Sequence, residues 1–102
     1  MRVAMFSTKK FERALLDELN VGYRLEIAYF DMLLGPDTAP LAAGFPAVSV
    51  FVNDPVDAGV LKQLAAGGTK LVATRSTGVN HIDLGAAKAL GVRVVRVIPR
   101  TR

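Results

Sequence analysis

Residues 47–74 read AVSVFVNDPVDAGVLKQLAAGGTKLVAT, a pattern that predicts a strand, a helix and a second strand. The runs 47–51 and 70–74 are short, apolar and rich in β-branched residues, which is typical of buried strands. Between them, Asp54 and Pro55 fit a helix N-cap and the first helical residue. Gly67 and Gly68 fit the end of that helix. Its buried face is predicted to contain Val60, Leu61, Leu64 and Ala65.

Runs of the same kind recur along the whole chain, at 2–6, 25–29, 47–51, 70–74 and 93–97. Successive centres are 23, 22, 23 and 23 residues apart, counted between Ala4, Ile27, Ser49, Val72 and Val95. A crossover between parallel strands needs about a dozen residues or more, usually including a helix, and these gaps supply them. The chain is therefore predicted to alternate strands with helices.

The remaining gaps carry helical signals of different strength. In the first gap, an apolar stripe with a four-residue repeat is formed by Phe11, Leu15 and Leu19. In the last gap, Asp83 is predicted to cap a helix that Gly91 ends. The second gap has a Gly-Pro-Asp start at 35–37, and the Pro40 and Gly44 that follow limit its helix to about two turns.

Five strands and four crossovers define an α/β fold with a parallel sheet and helices on both faces. Because crossovers are right-handed and the chain reverses direction once, we expect the strand order 2-1-3-4-5 of the flavodoxin-like three-layer fold. In such sheets ligands bind beyond the carboxyl ends of the strands, near the point where the strand order reverses. Here that point lies between the first and third strands.

Composition excludes several kinds of protein. The 102 residues include no Cys and one His, which rules out disulfides, thiolate zinc sites, thiol nucleophiles and His-rich metal sites. No apolar run reaches the roughly 20 residues of a membrane span, and the first residues lack a signal-peptide pattern. We therefore expect a folded cytoplasmic protein with no membrane partner.

The net charge of +4 comes from 13 basic and 9 acidic residues, and the excess lies near the carboxyl terminus. The last ten residues contain no acid but four arginines, Arg93, Arg96, Arg100 and Arg102. A basic segment can contact nucleic acid, but no aromatic residues alternate with these arginines and no nucleic-acid-binding motif occurs. We expect no nucleic-acid partner.

The loop after the fourth strand, residues 75–83, combines a central Gly with polar side chains and leads into the last predicted helix. These residues fit either a plain strand-to-helix turn, in which Gly78 adopts a positive φ angle, or an anion-binding loop. In the second case, amides around Thr77 and Gly78 bind a carboxylate or phosphate oxygen. Phe51 can be a core residue or the wall of a cleft, and His81 is interpreted as a loop histidine rather than a general base.

Two stretches, Phe51-Val-Asn-Asp54 and Arg75-Ser-Thr-Gly-Val-Asn-His-Ile-Asp83, are distinctive in their order and spacing. With the rest of the chain up to about Val97, they resemble the amino-terminal part of the NAD-dependent D-isomer-specific 2-hydroxyacid dehydrogenases, in particular the D-lactate dehydrogenases. The resemblance implies that residues 1–97 are the flavodoxin-like substrate domain of an oxidoreductase. Such an enzyme transfers hydride between NADH and a 2-oxo acid such as pyruvate.

The resemblance also implies which residues form the substrate site. Main-chain amides of Thr77 and Gly78 are expected to hold the substrate carboxylate, and Phe51 to line the substrate pocket. The rest of the same loop is matched by Arg75, Ser76 and Asn80. No catalytic, cofactor-binding or metal-binding residue is assigned to this chain. NAD is expected only in the intact enzyme, because the coenzyme domain is absent here and the nine glycines include no G-x-G pattern.

The resemblance ends after Val97, and residues 98–102 form a divergent basic tail. The family continues there with Pro-x-Tyr-(Ser/Asp)-Pro, and suitable codons for 99–102 read Ala-Tyr-Ser-Pro in another frame. We therefore expect a frameshift that truncates the enzyme, leaving a chain that is inactive alone and able to form a homodimer through its exposed face. The alternatives are a stand-alone module that binds small carboxylates or a partner protein, and a receiver-like domain with Asp54 as phosphoacceptor.

Overall fold

The structure, a computed structural model of the chain, describes residues 2–7, 26–51, 53–75 and 78–96. The predicted first helix, with its stripe of Phe11, Leu15 and Leu19, lies outside the described residues, and so does the basic tail 98–102. Two of the predicted site residues, Ser76 and Thr77, also lie outside them.

Five strands form one parallel sheet in the order β2-β1-β3-β4-β5. The strands are β1 Arg2–Met5, β2 Glu26–Tyr29, β3 Ala47–Val50, β4 Leu71–Thr74 and β5 Arg93–Arg96. Each strand lies within the apolar run that predicted it, because strands covered on both faces keep a nearly continuous hydrophobic sequence. The predicted α/β fold class and the strand order 2-1-3-4-5 are confirmed.

The described strands are connected by a 3₁₀ helix at Ala39–Ala42, α1 at Ala58–Ala66 and α2 at Leu84–Ala89. The end of α1 is as predicted, since Gly67 closes the last turn and Gly68 adopts a φ of +100°. Its start differs from the prediction. The N-cap is Asp57, whose side chain accepts a hydrogen bond from Val60 N at 2.9 Å, and not Asp54.

The connection between β2 and β3 contains less helix than the sequence predicts. A single 3₁₀ turn replaces the expected two turns, and it begins at Ala39 rather than at 35–37. The hydroxyl of Thr38 donates to Leu33 O at 2.8 Å and accepts from Gly35 N at 2.8 Å. These bonds close a turn ahead of the helix, as Thr side chains often do when they compete with helical backbone bonding.

The core lies between the sheet and these helices. Its largest fully buried apolar side chains are Phe6, Leu34, Val48, Val50, Val56, Val60, Leu61, Leu64 and Val72. The predicted inner face of α1 is confirmed, with Ala65 partly buried against this core. The helix α1 contacts both the 3₁₀ helix and α2. None of the helices within the described residues is long and apolar enough to cross a membrane.

Candidate functional site

The loops that follow β1, β3 and β4 leave the sheet at one edge, here called the carboxyl edge. The three strands are paired in parallel up to their last residues, so they end at the same level. The strand order reverses between β1 and β3, where the sequence predicts a site. Loops that begin at Phe6, Phe51 and Arg75 therefore meet at this edge.

Asp54, in the loop after β3, is fully buried at the carboxyl edge. Its Oδ1 accepts hydrogen bonds from Ser7 Oγ at 2.6 Å and Leu34 N at 2.8 Å. Its Oδ2 accepts one from Phe51 N at 2.6 Å. A carboxylate can be buried when donors satisfy its oxygens, and bonds to a charged acceptor are the strong ones. One side chain therefore joins the loops that follow β1, β2 and β3.

These contacts contradict two predictions about Asp54. The residue does not cap α1, because its oxygens are bound by other segments and Asp57 takes the capping position. A receiver-like phosphoacceptor must be accessible and near further carboxylates that hold Mg²⁺. Asp54 has no exposed surface, and the described part of the chain contains no group of metal-ligating side chains. The receiver-like alternative therefore does not fit the structure.

Arg75, the first residue after β4, is directed toward the ends of β1 and β3. Its Nε donates to Val50 O at 3.3 Å, and its Nη2 donates to Phe6 O. Its guanidinium carbon lies 6.0 Å from the centre of the Phe51 ring, within the range of a cation–π contact. The structure thus brings two predicted site residues together, and Arg75 braces backbone carbonyls beside the aromatic ring.

The side chain of Phe51 is accessible, which decides between the two interpretations of this residue. Phe51 is 40% exposed, so it forms a wall at the carboxyl edge and not part of the core. Met32 and Leu33 are exposed as well, and they directly precede Leu34, whose amide binds Asp54. We call Met32, Leu33 and Phe51 the apolar rim. Exposed apolar groups that lie together are typical of binding surfaces.

The predicted substrate loop is described at Arg75 and from Gly78 onward. Gly78 and Asn80 are both exposed. Among the described residues, positive φ angles occur at the glycines Gly44, Gly68 and Gly91, so the prediction of a positive φ at Gly78 is wrong. A Cβ atom added at Gly78 would meet no atom within 4 Å. The main chain here is therefore open to a ligand.

The far end of the same loop is fixed to the loop after β3. Val56 N donates to His81 O at 2.8 Å, and Asp83 N donates to Val56 O at 2.9 Å, so Val56 and Ile82 form a short parallel bridge. The His81 ring Nε2 lies 2.9 Å from Thr74 Oγ1, a partner that the sequence pattern did not indicate. Asp83 caps α2 as predicted.

Sequence reasoning identified the loops of this edge but missed the contact between Ser7 and Asp54. A signal was present, because a Ser and an Asp follow the two strands that flank the reversal point. Ser7 is also the one non-glycine residue of the described chain with a positive φ, at 54°. Such a conformation is uncommon and marks a position that its surroundings determine.

Comparison with known proteins gives a consistent family assignment. The profile for the D-isomer specific 2-hydroxyacid dehydrogenase, catalytic domain, matches residues 3–99. A 2-hydroxyacid dehydrogenase homolog from Schizosaccharomyces pombe is 48% identical over 97 residues, which cover 95% of this chain and 29% of the relative. The apo structure of D-lactate dehydrogenase from Escherichia coli superposes with a TM-score of 0.94 at 42% identity. That match covers 99% of this chain and 32% of the other.

A third match concerns a structure with a bound nucleotide. D-lactate dehydrogenase with NAD⁺ from Lactobacillus jensenii has a TM-score of 0.79 at 28% identity, over 95% of this chain and 30% of that one. The chain thus spans about a third or less of the length of the relatives it matches.

Proposed function

The chain belongs to the D-isomer specific 2-hydroxyacid dehydrogenase family, and on this premise we propose that it is the substrate domain of a D-lactate dehydrogenase. The substrates are pyruvate and D-lactate or a closely similar pair of 2-oxo and 2-hydroxy acids. The observation that carries this proposal is the pairing, at the carboxyl edge, of the exposed Phe51 ring with a loop whose main chain is open at Gly78. An apolar wall and free amides suit a small carboxylate with a short apolar tail.

In this proposal the substrate carboxylate binds the main-chain amides of Thr77 and Gly78. Phe51 contacts the methyl end of the substrate, and Arg75 holds the Phe51 ring from behind. Ser76 and Asn80 complete the loop around the bound acid. The positive end of the Arg75 side chain, although bound to backbone carbonyls, also makes the edge favourable for an anion.

NAD is the proposed hydride carrier of the intact enzyme, but the residues of this chain do not fit a dinucleotide. No G-x-G pattern occurs among its glycines, so the close approach of a pyrophosphate to a helix start has no counterpart here. Amides that orient a carboxylate cannot reduce it without a hydride donor and an acid. The 102-residue chain by itself is therefore expected to bind the acid and to show no NADH-dependent reduction of pyruvate.

The proposal is tested by titrating the ¹⁵N-labelled chain with pyruvate and following its amide resonances. The signals of Gly78 and Phe51 are expected to shift together. Gly78→Ala is expected to weaken this binding about tenfold, because a methyl group then occupies the approach to the main chain. Gly35→Ala is the matched control, since its added Cβ also meets no atom within 4 Å. Equal binding by both variants, or no shift at Gly78, would refute the proposed site.

The proposed partner, besides the substrate, is a second copy of the chain. The apolar rim is the surface that we expect to be covered, because β5 carries exposed Arg93 and Arg96, and like charges disfavour pairing of two such edges. Light scattering that gives the monomer mass at high protein concentration would rule this dimer out. The cytoplasmic location and the frameshift after Val97 remain predictions of the sequence.

A further inference from the structure

Phe51 is held by Asp54 on both sides of its peptide group. Phe51 N donates to Asp54 Oδ2 at 2.6 Å, and Asp54 N donates to Phe51 O at 3.0 Å. This pair of bonds closes a tight turn directly after β3. The main chain of Phe51 is therefore fixed even though its ring is 40% exposed.

The other oxygen of Asp54 reaches two different loops. Ser7 Oγ and Leu34 N both donate to Oδ1, from segments 47 and 20 residues away in sequence. The three donors to this carboxylate are a hydroxyl group and two amides, all without formal charge. The buried charge of Asp54 is thus balanced by hydrogen bonds that converge from the loops around Phe51.

We propose that Asp54 is a positioning residue that sets Phe51 for substrate binding, an inference that rests on the proposed function. Asp54 has no exposed surface and therefore cannot touch the substrate itself. It acts through the Phe51 main chain, which it ties to the loops carrying Ser7 and Leu34. A change at Asp54 should alter substrate affinity by releasing the Phe51 ring.

The arrangement requires a carboxylate and not an amide. Both side-chain oxygens accept hydrogen bonds, whereas the Asn side chain offers one oxygen and one NH₂ group. In Asp54→Asn the oxygen is expected to face Ser7 and Leu34, where two donors compete for it. The NH₂ group then faces Phe51 N, so a donor opposes a donor and the Phe51 amide loses its partner.

Thr69→Val provides a control of ordinary structural loss at the opposite edge of the sheet. Thr69 is 3% exposed, and its hydroxyl donates to Phe45 O at 2.9 Å. Removing this hydroxyl costs one buried hydrogen bond, far from Phe51 in the fold. It should lower stability without changing the Phe51 amide, which separates positioning from general destabilisation.

The first measurement uses the full chain without ligand. In Asp54→Asn, hydrogen exchange at the Phe51 amide should accelerate at least about tenfold relative to the wild type, because a bond to a charged acceptor is lost. In Thr69→Val that rate, corrected for the change in global stability, should stay within about twofold of the wild type. Unchanged Phe51 exchange in Asp54→Asn would overturn the proposal, whatever the ligand does.

The second measurement titrates the same proteins with oxamate, an unreactive analogue of pyruvate. Asp54→Asn should bind oxamate about tenfold more weakly, with the Gly78 amide still shifting, while Thr69→Val binds like the wild type. Wild-type binding that survives undiminished in Asp54→Asn would overturn the positioning role. Absence of oxamate binding to the wild type would instead refute the proposed function and leave the exchange result to judge how Phe51 is held.

A third measurement needs no variant and covers the case in which Asp54→Asn does not fold. In the ¹³C,¹⁵N-labelled wild type, scalar coupling across hydrogen bonds should connect the Asp54 carboxyl carbon with the amide nitrogens of Phe51 and Leu34. Both couplings are expected from the short donor–acceptor distances. Absence of the Phe51 coupling, with backbone couplings of the same spectrum visible, would contradict the proposal.

Discussion

The two edges of one sheet both pair arginine with acidic and aromatic side chains, yet they use them differently. At the carboxyl edge, Asp54 is fully buried and Arg75 is half-buried, and both bind mainly to the backbone of neighbouring loops. At the amino edge, Arg2 lies 3.7 Å from Glu26, with side chains 54% and 78% exposed, and 4.5 Å above the Phe45 ring.

The difference teaches that the surroundings of a charge decide its contribution, more than the presence of an opposite charge. An exposed ion pair gains little because water screens it and the long side chains lose freedom when they are held. A buried charge that backbone groups satisfy leaves those groups unpaired when it is removed. Function concentrates at the edge where loops are held in this second way.

The largest effect is expected for Asp54→Ala, which removes the carboxylate from the carboxyl edge. Two amides and one hydroxyl then lose their acceptor, so the free energy of unfolding should fall by about 3 kcal/mol. Urea denaturation monitored by circular dichroism measures this change. A loss below that of an exposed ion pair would remove the contrast between the two edges.

A smaller effect is expected for Arg75→Met, which keeps the aliphatic part of the side chain. Phe6 O loses its charged donor, but Val50 O keeps the bond from Arg75 N at 2.8 Å, so the free energy of unfolding should fall by about 2 kcal/mol. Arg93→Met, at an exposed position of β5, is the control for the lost charge. Equal losses in the two variants would show that the bracing of the carbonyls contributes nothing.

The smallest effect is expected for Glu26→Gln at the amino edge. The change breaks an exposed ion pair and should alter the free energy of unfolding by less than about 0.5 kcal/mol. At roughly 1 M NaCl, where charges are screened within about 3 Å, even this difference should vanish. A larger loss that persists in salt would indicate that the amino edge is held as firmly as the carboxyl edge.

Much of the fold could be predicted because its signals are local. The five strands were found from continuous apolar runs, and the end of α1 from Gly67 and Gly68, whose roles depend on their own residue type. The start of α1 was missed because Asp54 fits a local capping pattern but binds donors that are distant in sequence. Tertiary contacts overrode the local preference there.

The candidate site divides in the same way. Its location followed from the strand order, and the pairing of Phe51 with Arg75 follows from adjacent strands that end at one level. The network around Asp54 could not be predicted, since Ser7 and Leu34 reach it across 47 and 20 residues of sequence. The roles of Ser76 and Thr77 remain predictions that lie outside the described residues.

The short bridge between Val56 and Ile82 has a consequence for exchanging the substrate loop between enzymes. Thr74 ends β4 and His81 is already tied to Val56, so only the six residues 75–80 span between two anchored ends. Loop swaps that keep this length can vary in composition without disturbing either anchor. Longer inserts should bulge outward over the substrate, so that loop length, and not only side-chain identity, would select among acids of different size.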